Sequence, residues 1–491
     1  MSYDRAIQLI WDIEKNIDVT KLTFEDIHIW PLLRIAIYNE NLELTPPTVK
    51  TSTIKKIKSA LNILFEGFID KKNNLKKGHS DFYLSSHTTS RTCQIDEKWH
   101  DFIFSPLAEW IKQEHPKASI YYEEFAPGGE YRAPRYEKTA YFTLALVKIH
   151  VLGRFFPEKE SATLNHEINK LIHFIQTKGG SCESLQTQKL MQRLSRFKRL
   201  TNYFNKKLIA IKPRILFIVT YYSIIGMALL HASRKRGIKS VDIQHGVQGA
   251  MHVAYGVWDN IPFDGYSCLP DFFWVWSENE NKTLKIANPR HQVIVAGNIQ
   301  QFYWQEKRHP LQKKLLSVIE ASKKTTIILV SLQPVESTLV DEIVTTIKNN
   351  RFPQCFWLFR LHPCMNKEWD SHLDRKLSAY PLSCEYKISS ELPLPSVLNI
   401  ISGHVTLYSS VTIEAAAIGI STLLYHDNCP FFPDLESSNK VISKKPQDHF
   451  EALFEEYLSL MKKSTAGKFE ISQQSPFSVF MQESKLGIAN R

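Results

Sequence analysis

Few features of this sequence name a chemistry outright. Its seven cysteines (Cys93, Cys182, Cys268, Cys355, Cys364, Cys384 and Cys429) are odd in number and scattered. They lack the paired CxxC spacing of a zinc site or redox dithiol, and read as buried thiols of a reducing cytoplasm. Glycine is scarce, 18 residues in 491, which excludes collagen-like and low-complexity descriptions of the whole. The longest apolar run, ILFIVTYYSIIGMALL at 215–230, falls short of the roughly 20 residues a membrane span needs and reads as a strand followed by a helix. The first residues, MSYDRAIQLIWDIEK, alternate charge with apolar residues and lack the order of a secretory leader, so the mature chain is expected to start here. Neither a DxD motif nor a metal-ligand cluster is present, so no metal and no cofactor is expected. No helix-turn-helix, zinc finger or RNP-like stretch accompanies the positive charge, which argues against nucleic acid as the partner.

What is present is apolar material for two cores: 491 residues, 43% hydrophobic and 12% aromatic, more than one ordinary domain holds. The formal net charge of +11 favours an acidic partner such as phosphate, an acidic glycan or an anionic membrane surface. Residues 1–78 read as a helical N-terminal appendage and linker, with the turn signal LTPPTVK after its short helices. A basic amphipathic helix is expected over 54–69, and a second over 187–212, where 187–214 carries nine Lys/Arg and no acid. Each is either a membrane-facing surface or a packed stripe with a solvated basic back. From about residue 80 strands and helices alternate: DFYLSS, ASIYYEEF, PRILFIVTYY, IKSVDIQHG, DFFWVWS and QVIVAGN, then, after a charged connection at 305–324, TTIILVSLQ, CFWLFRLHP, VTLYSS and STLLYH. The pattern predicts parallel α/β sheets in two successive halves, 79–300 and 301–491.

Ligands of parallel sheets gather beyond the carboxyl ends of the strands, so polar clusters there carry the chemistry. Three stand out. His245 ends a strand beside Gly246, which lets a ligand approach closely; its imidazole titrates near neutrality and suits a general base. Asp242 and Gly246 join it as catalytic candidates. Arg360, His362 and Pro363 follow CFWLF, where a cation and an N–H donor suit a diphosphate, although a histidine bonded to nearby backbone explains His362 as well. Tyr408, Ser409 and Ser410 open the helix VTIEAAAIG, with Glu414 one turn on placed to hold ribose hydroxyls; Ser410 read alone is a helix cap.

At these residues, over 210–430, the chain resembles the GT-B glycosyltransferases of bacterial surface polysaccharides. The HG at a strand end, the R-x-HP and the SS before a helix are similar to those of the CDP-glycerol glycerophosphotransferases of teichoic acid synthesis. The HP and serine motifs also resemble those of bacterial sialyltransferases and capsule-type Kdo transferases. The resemblance implies two Rossmann-like domains facing a cleft, with His245 deprotonating the acceptor hydroxyl. It implies that Arg360, His362, Pro363, Tyr408, Ser409 and Ser410 hold the donor phosphate, Glu414 lies near the ribose, and Ser331 completes the donor set. Gly297 and Asn298, in VAGN, mark the passage from acceptor to donor domain. The donor implied is nucleotide-activated, CMP- or CDP-linked, and carries a sugar or a polyol phosphate; the acceptor implied is a growing surface polysaccharide or lipid-linked glycan at the inner face of the cytoplasmic membrane. Where the retaining Kdo transferases carry an acidic residue before glycine this chain has histidine, so an inverting single displacement is implied. A nucleotide-sugar 2-epimerase and a non-catalytic polysaccharide-assembly protein are the alternatives.

Overall fold

The computed structural model describes the chain apart from residues 2, 43–60, 66–77, 127–130, 160, 285, 287, 336–337, 363–364, 366, 427–431, 433–434, 436–440, 446–447, 464–473 and 488–491. Pro363 and the expected helix over 54–69, save a helical stretch at 61–65, lie outside the described residues. The chain forms two α/β units, one of Met1–Arg91, Ile103–Asn298 and Ser475–Arg491, the other of Thr92–Phe102 and Ile299–Gln474.

Unit one is built on a seven-stranded sheet of β1 (Phe82–His87), β2 (Ile120–Phe125), β3 (Ala140–Tyr141), β4 (Ile215–Ile218), β5 (Lys239–Ile243), β6 (Phe272–Val275) and β7 (Gln292–Val295). All six neighbouring pairs are parallel. Strands β4 (ILFI) and β6 (FFWV) are buried at every position, which is why they read as unbroken apolar runs rather than alternating ones. The strand order is β7-β6-β5-β4-β1-β2-β3. The chain runs outward from β1 to β3, returns beside β1 as β4, and runs outward the other way. The carboxyl ends of β1 and β4 therefore flank the reversal, the position at which open α/β sheets receive ligands.

Helices α1 (Tyr3–Asn16) and α2 (Trp30–Asn41), expected as an appendage, are built into this unit: Ile10, Ile13, Leu33 and Ile37 share one core with Leu194, Leu216 and Val275. Two buried charges tie them to the loop after β5. Glu14 accepts from Trp30 Nε1 at 2.7 Å and the Asp259 N–H at 3.1 Å, and pairs with Arg34. Arg34 donates to the carbonyls of Val253 (2.8 Å) and Val257 (2.6 Å) and lies 4.0 Å from the Trp258 ring centroid. Helices α3 (Thr143–Phe155) and α4 (Thr187–Ile211) pack together, and Leu190, Leu194, Phe197, Phe204 and Leu208 of α4 form the buried stripe their spacing predicts. The helix Pro476–Ser484 also belongs to unit one: Phe480 stacks on Trp274 (4.9 Å, 9°) and Phe477 meets Phe82 at 6.0 Å. This return differs from the single C-terminal span expected over 301–491, and its cause is the apolar PFSVF, which covers aromatic groups of the sheet.

Unit two has six parallel strands, β8 (Thr326–Ser331), β9 (Cys355–Arg360), β10 (Cys384–Glu385), β11 (Gly403–Thr406), β12 (Thr422–Leu424) and β13 (Val441–Ser443), in the order β10-β9-β8-β11-β12-β13. It reverses between β8 and β11. The stretch expected as a charged connection is helical, Ile299–Glu306 and Pro310–Ser322. Leu315 and Ile319 are one turn apart and buried, and His309 caps the second helix by accepting from the Leu311 N–H at 3.2 Å. Two Rossmann-like units in succession are the composition expected of a GT-B-like chain. Among the described residues no helix is long and apolar enough to cross a membrane.

Candidate functional site

In unit one the loops after β1, β4, β5 and β6 carry the polar groups. Gln244, just past β5, accepts the Trp276 N–H on Oε1 (2.8 Å), donates from Nε2 to the Gly246 carbonyl (3.0 Å), and accepts Trp276 Nε1 on its own carbonyl (3.2 Å). That brace fixes the turn on which His245 stands. The His245 ring is half-buried and stacked on Tyr222, with centroids 6.4 Å apart and planes 29° apart. Among the described residues its buried Nδ1 has no hydrogen-bond partner. Burial, then the neighbouring His252 and His87, push its pKa down to about 4 against a hydrogen bond with the Ile243 backbone, so the ring is neutral at pH 7 and able to accept a proton. A Cβ on Gly246 or Gly249 would meet nothing within 4 Å, so both face open space. The φ of Gly246 is not positive, so neither packing nor backbone conformation within the described residues requires glycine there.

Asp242 takes another place than the catalytic one expected of it. Side chains alternate along β5, and that of Asp242 turns into the core at 1% exposure. It accepts from the Tyr221 N–H at 3.0 Å and the Tyr255 hydroxyl at 2.7 Å. Burial raises its pKa to about 7 against those two hydrogen bonds. Its two bonds tie the turn after β4 to the loop that carries His252. That loop is further fixed by Tyr221, whose hydroxyl donates to the Ala254 carbonyl. His252 accepts the Ala254 N–H on Nδ1 at 3.1 Å, which leaves its proton on Nε2. Sequence reading missed His87, Tyr222 and His252. The YY after the β4 run and the His at the end of DFYLSSH were the available signals.

Gly297 has φ +91, a conformation that favours glycine, and its carbonyl accepts Trp274 Nε1 at 2.9 Å. Asn298 follows as the last residue of its segment of unit one. Both stand at the carboxyl end of β7.

In unit two the register pairs Ser331 with Arg360 on one side and Thr406 on the other, so the loops after β8, β9 and β11 emerge side by side. The Tyr408 N–H donates to Gln333 Oε1 at 3.0 Å, a bond that bridges the strand-order reversal. Gln333, in the SLQP after β8, was the residue sequence reading overlooked. Ser410 occupies the N-cap of α5 (Val411–Ala417) but its side chain makes no capping hydrogen bond; Ser409 Oγ accepts the Val411 N–H instead, at 3.3 Å. Arg360 donates from Nη1 to the carbonyls of Ser389 and Leu392, the latter at 2.6 Å, bracing the segment beside β9. Burial lowers its pKa to about 10, opposed by Glu414, which is 7% exposed. Glu414 is thus the electrostatic counterpart of Arg360. His362 is half-buried in the loop beyond, its pKa lowered by burial, with its N–H on Met365 Sδ at 3.3 Å.

Ser331 differs from the donor-binding role expected. It is buried, its hydroxyl 3.0 Å from His404 Nε2, and His404 Nδ1 lies 2.9 Å from the Thr422 hydroxyl. The three form a polar ladder across β8, β11 and β12. Desolvation holds the His404 pKa near 3, so the ladder is uncharged. Among the described residues no group of three His, Cys, Asp or Glu side chains is placed to hold a metal ion.

No family model and no curated protein sequence matches the chain. Solved structures do. A UDP-GlcNAc 2-epimerase from Neisseria meningitidis bound to UDP-GlcNAc is 12% identical, over 83% of this chain and 100% of that one, with a TM-score of 0.48. The UDP-GlcNAc 2-epimerase from Methanocaldococcus jannaschii is 12% identical over 83% and 99%, at 0.47. CalG4, the calicheamicin glycosyltransferase, is 10% identical over 83% and 98%, at 0.44.

Proposed function

We propose that the chain is a transferase acting on a nucleotide-activated sugar, with a glycan or lipid-linked hydroxyl as acceptor. Unit two takes the donor and unit one activates the acceptor. The observation that carries this reading is the neutral imidazole of His245, whose Nδ1 has no hydrogen-bond partner among the described residues, at the carboxyl edge of the sheet beside a glycine facing open space. On the donor side Ser410, at an N-cap position but with no side-chain capping bond, stands at the other reversal of strand order.

In the transfer, the acceptor oxygen attacks the anomeric carbon as its proton passes to His245, and the sugar–phosphate bond breaks with negative charge gathering on the departing nucleotide. Ser409, Ser410 and His362 supply donors to that charge. Arg360 lends its positive charge while two of its hydrogen bonds go to backbone.

An epimerisation, the reaction named for several of the similar structures, would use the same nucleotide site with no acceptor. Thermal-shift measurements against CMP, CDP, UDP, GDP and TDP identify the donor class. Nucleotide release measured with and without a glycan acceptor then decides the reaction. Release only with acceptor supports transfer, whereas turnover of the sugar without acceptor overturns it.

A further inference from the structure

A cavity of about 650 Å³ opens in unit one among α2, α3, α4 and the turn before α4. It shares no residue with the site described above. Arg154 of α3 and Lys189, Arg193 and Arg196 of α4 line it, with His150. Its two carboxylates, Glu40 and Glu183, offset part of that charge. Glu40 accepts from the Ser181 hydroxyl and from the N–H groups of Glu183 and Ser184, the last at 2.8 Å, while Glu183 pairs with Lys189 at 2.7 Å. Among the described residues no ion pair engages the guanidinium groups of Arg154, Arg193 or Arg196, and Arg193 Nη1 is buried with no hydrogen-bond partner. Burial lowers the pKa of Arg193, with Arg196 adding to the shift and Glu40 opposing it, and burial lowers that of Arg196. Four cations against two carboxylates leave the cavity with excess positive charge, and desolvated cations in excess are stabilised by an anion. The cavity is also a built feature: a Cβ on Gly153 would fall 2.4 Å from Arg196 Cγ, so glycine is what lets that arginine lie against α3.

Beside the cavity the outer face of α3 is apolar. Val147, Val151 and Phe155, at four-residue spacing, are 41%, 46% and 69% exposed, and Phe156 follows at 63%. Residues 143–156 contain no acid. An apolar stripe flanked by cations is the pattern of a surface that lies in the headgroup layer of an anionic bilayer.

We propose that this face docks on a membrane carrying anionic phospholipid, with a headgroup phosphate held in the cavity by Arg193 and Arg196 and the Val147–Phe156 stripe set into the acyl boundary. The role is independent of the transfer reading. It also refines the expectation for the basic helix: the apolar side of α4 is core, and its basic side forms the receptor for the anion.

Flotation of the full chain with phosphatidylcholine vesicles, with and without phosphatidylglycerol, tests it. Binding is expected only to the anionic vesicles. It should fall about 10- to 30-fold in the Arg193→Gln/Arg196→Gln double variant and fall likewise in Phe155→Ser/Phe156→Ser, whose exposed side chains are not needed for folding. Equal binding to neutral vesicles, no flotation at all, or undiminished flotation of both variants overturns the proposal. Thermal stabilisation by inorganic phosphate that needs Arg193 and Arg196, without flotation, assigns the cavity to a soluble phosphate compound and overturns it equally.

Discussion

The ring of His245 lies over that of Tyr222, 6.4 Å between centroids, and its neighbours His252 and His87 help burial to hold it neutral. An imidazole in that setting differs from one in water. With its pKa near 4, kcat/KM should stay level from pH 7 down to about 5 and fall only below that, because this ratio reports the free enzyme's base. A pH–rate profile breaking near 6.5 would place the essential group elsewhere.

Glu14 and Arg34 join the N-terminal helices to the loop that carries His252. Replacing Arg34 with alanine leaves the buried Glu14 without its counter-charge and frees the carbonyls of Val253 and Val257. Urea unfolding should show a loss of about 3–5 kcal/mol. Any residual activity should fall with it, since the loop loses an anchor.

Acid should unfold the protein through its buried histidines. Burial holds His231 and His291 near 4 and His404 near 3. Each binds a proton more readily unfolded than folded, so the stability is fully present above pH 6.5 and is lost as pH falls toward 4, on the order of 3 kcal/mol per ring. Asp242, raised to about 7, works in the opposite sense: its carboxyl favours the folded state at acid pH and disfavours it as pH rises from about 4 to 7. Three rings outweigh one carboxyl, and the unfolding free energy measured at pH 7, 6 and 5 should decline steadily.

Ser410 separates a cap from a ligand group. An ordinary serine cap costs about 1 kcal/mol when changed to alanine. Here the side chain makes no capping bond, so Ser410→Ala should change stability by less than about 0.5 kcal/mol while weakening nucleotide binding in a thermal-shift titration. Ser409→Ala, which removes the acceptor for the Val411 N–H, should show the larger stability loss.

The two-unit α/β organisation was legible because buried parallel strands are continuous apolar runs, as in β4 and β6, and because histidine, arginine and serine marked the ends of β5, β9 and β11. What escaped sequence reading depends on side-chain direction or on distant packing. Asp242 and Ser331 stand at or near strand ends as a ligand group does, yet the alternation of the strand turns both inward. The helix at 310–322 was hidden by charge on its solvent face, where Lys313, Lys314 and Glu320 are exposed. Nothing local in α1 and α2 says that Glu14 and Arg34 meet a loop more than 200 residues away. The cavity on α3 and α4 was visible in the sequence only as positive charge.

The most direct test of the reading is the His245→Ala variant assayed for transfer and, in the same preparation, for nucleotide affinity. Turnover should drop by roughly 100-fold or more with affinity unchanged. Turnover equal to that of the unaltered chain would contradict His245 as the base.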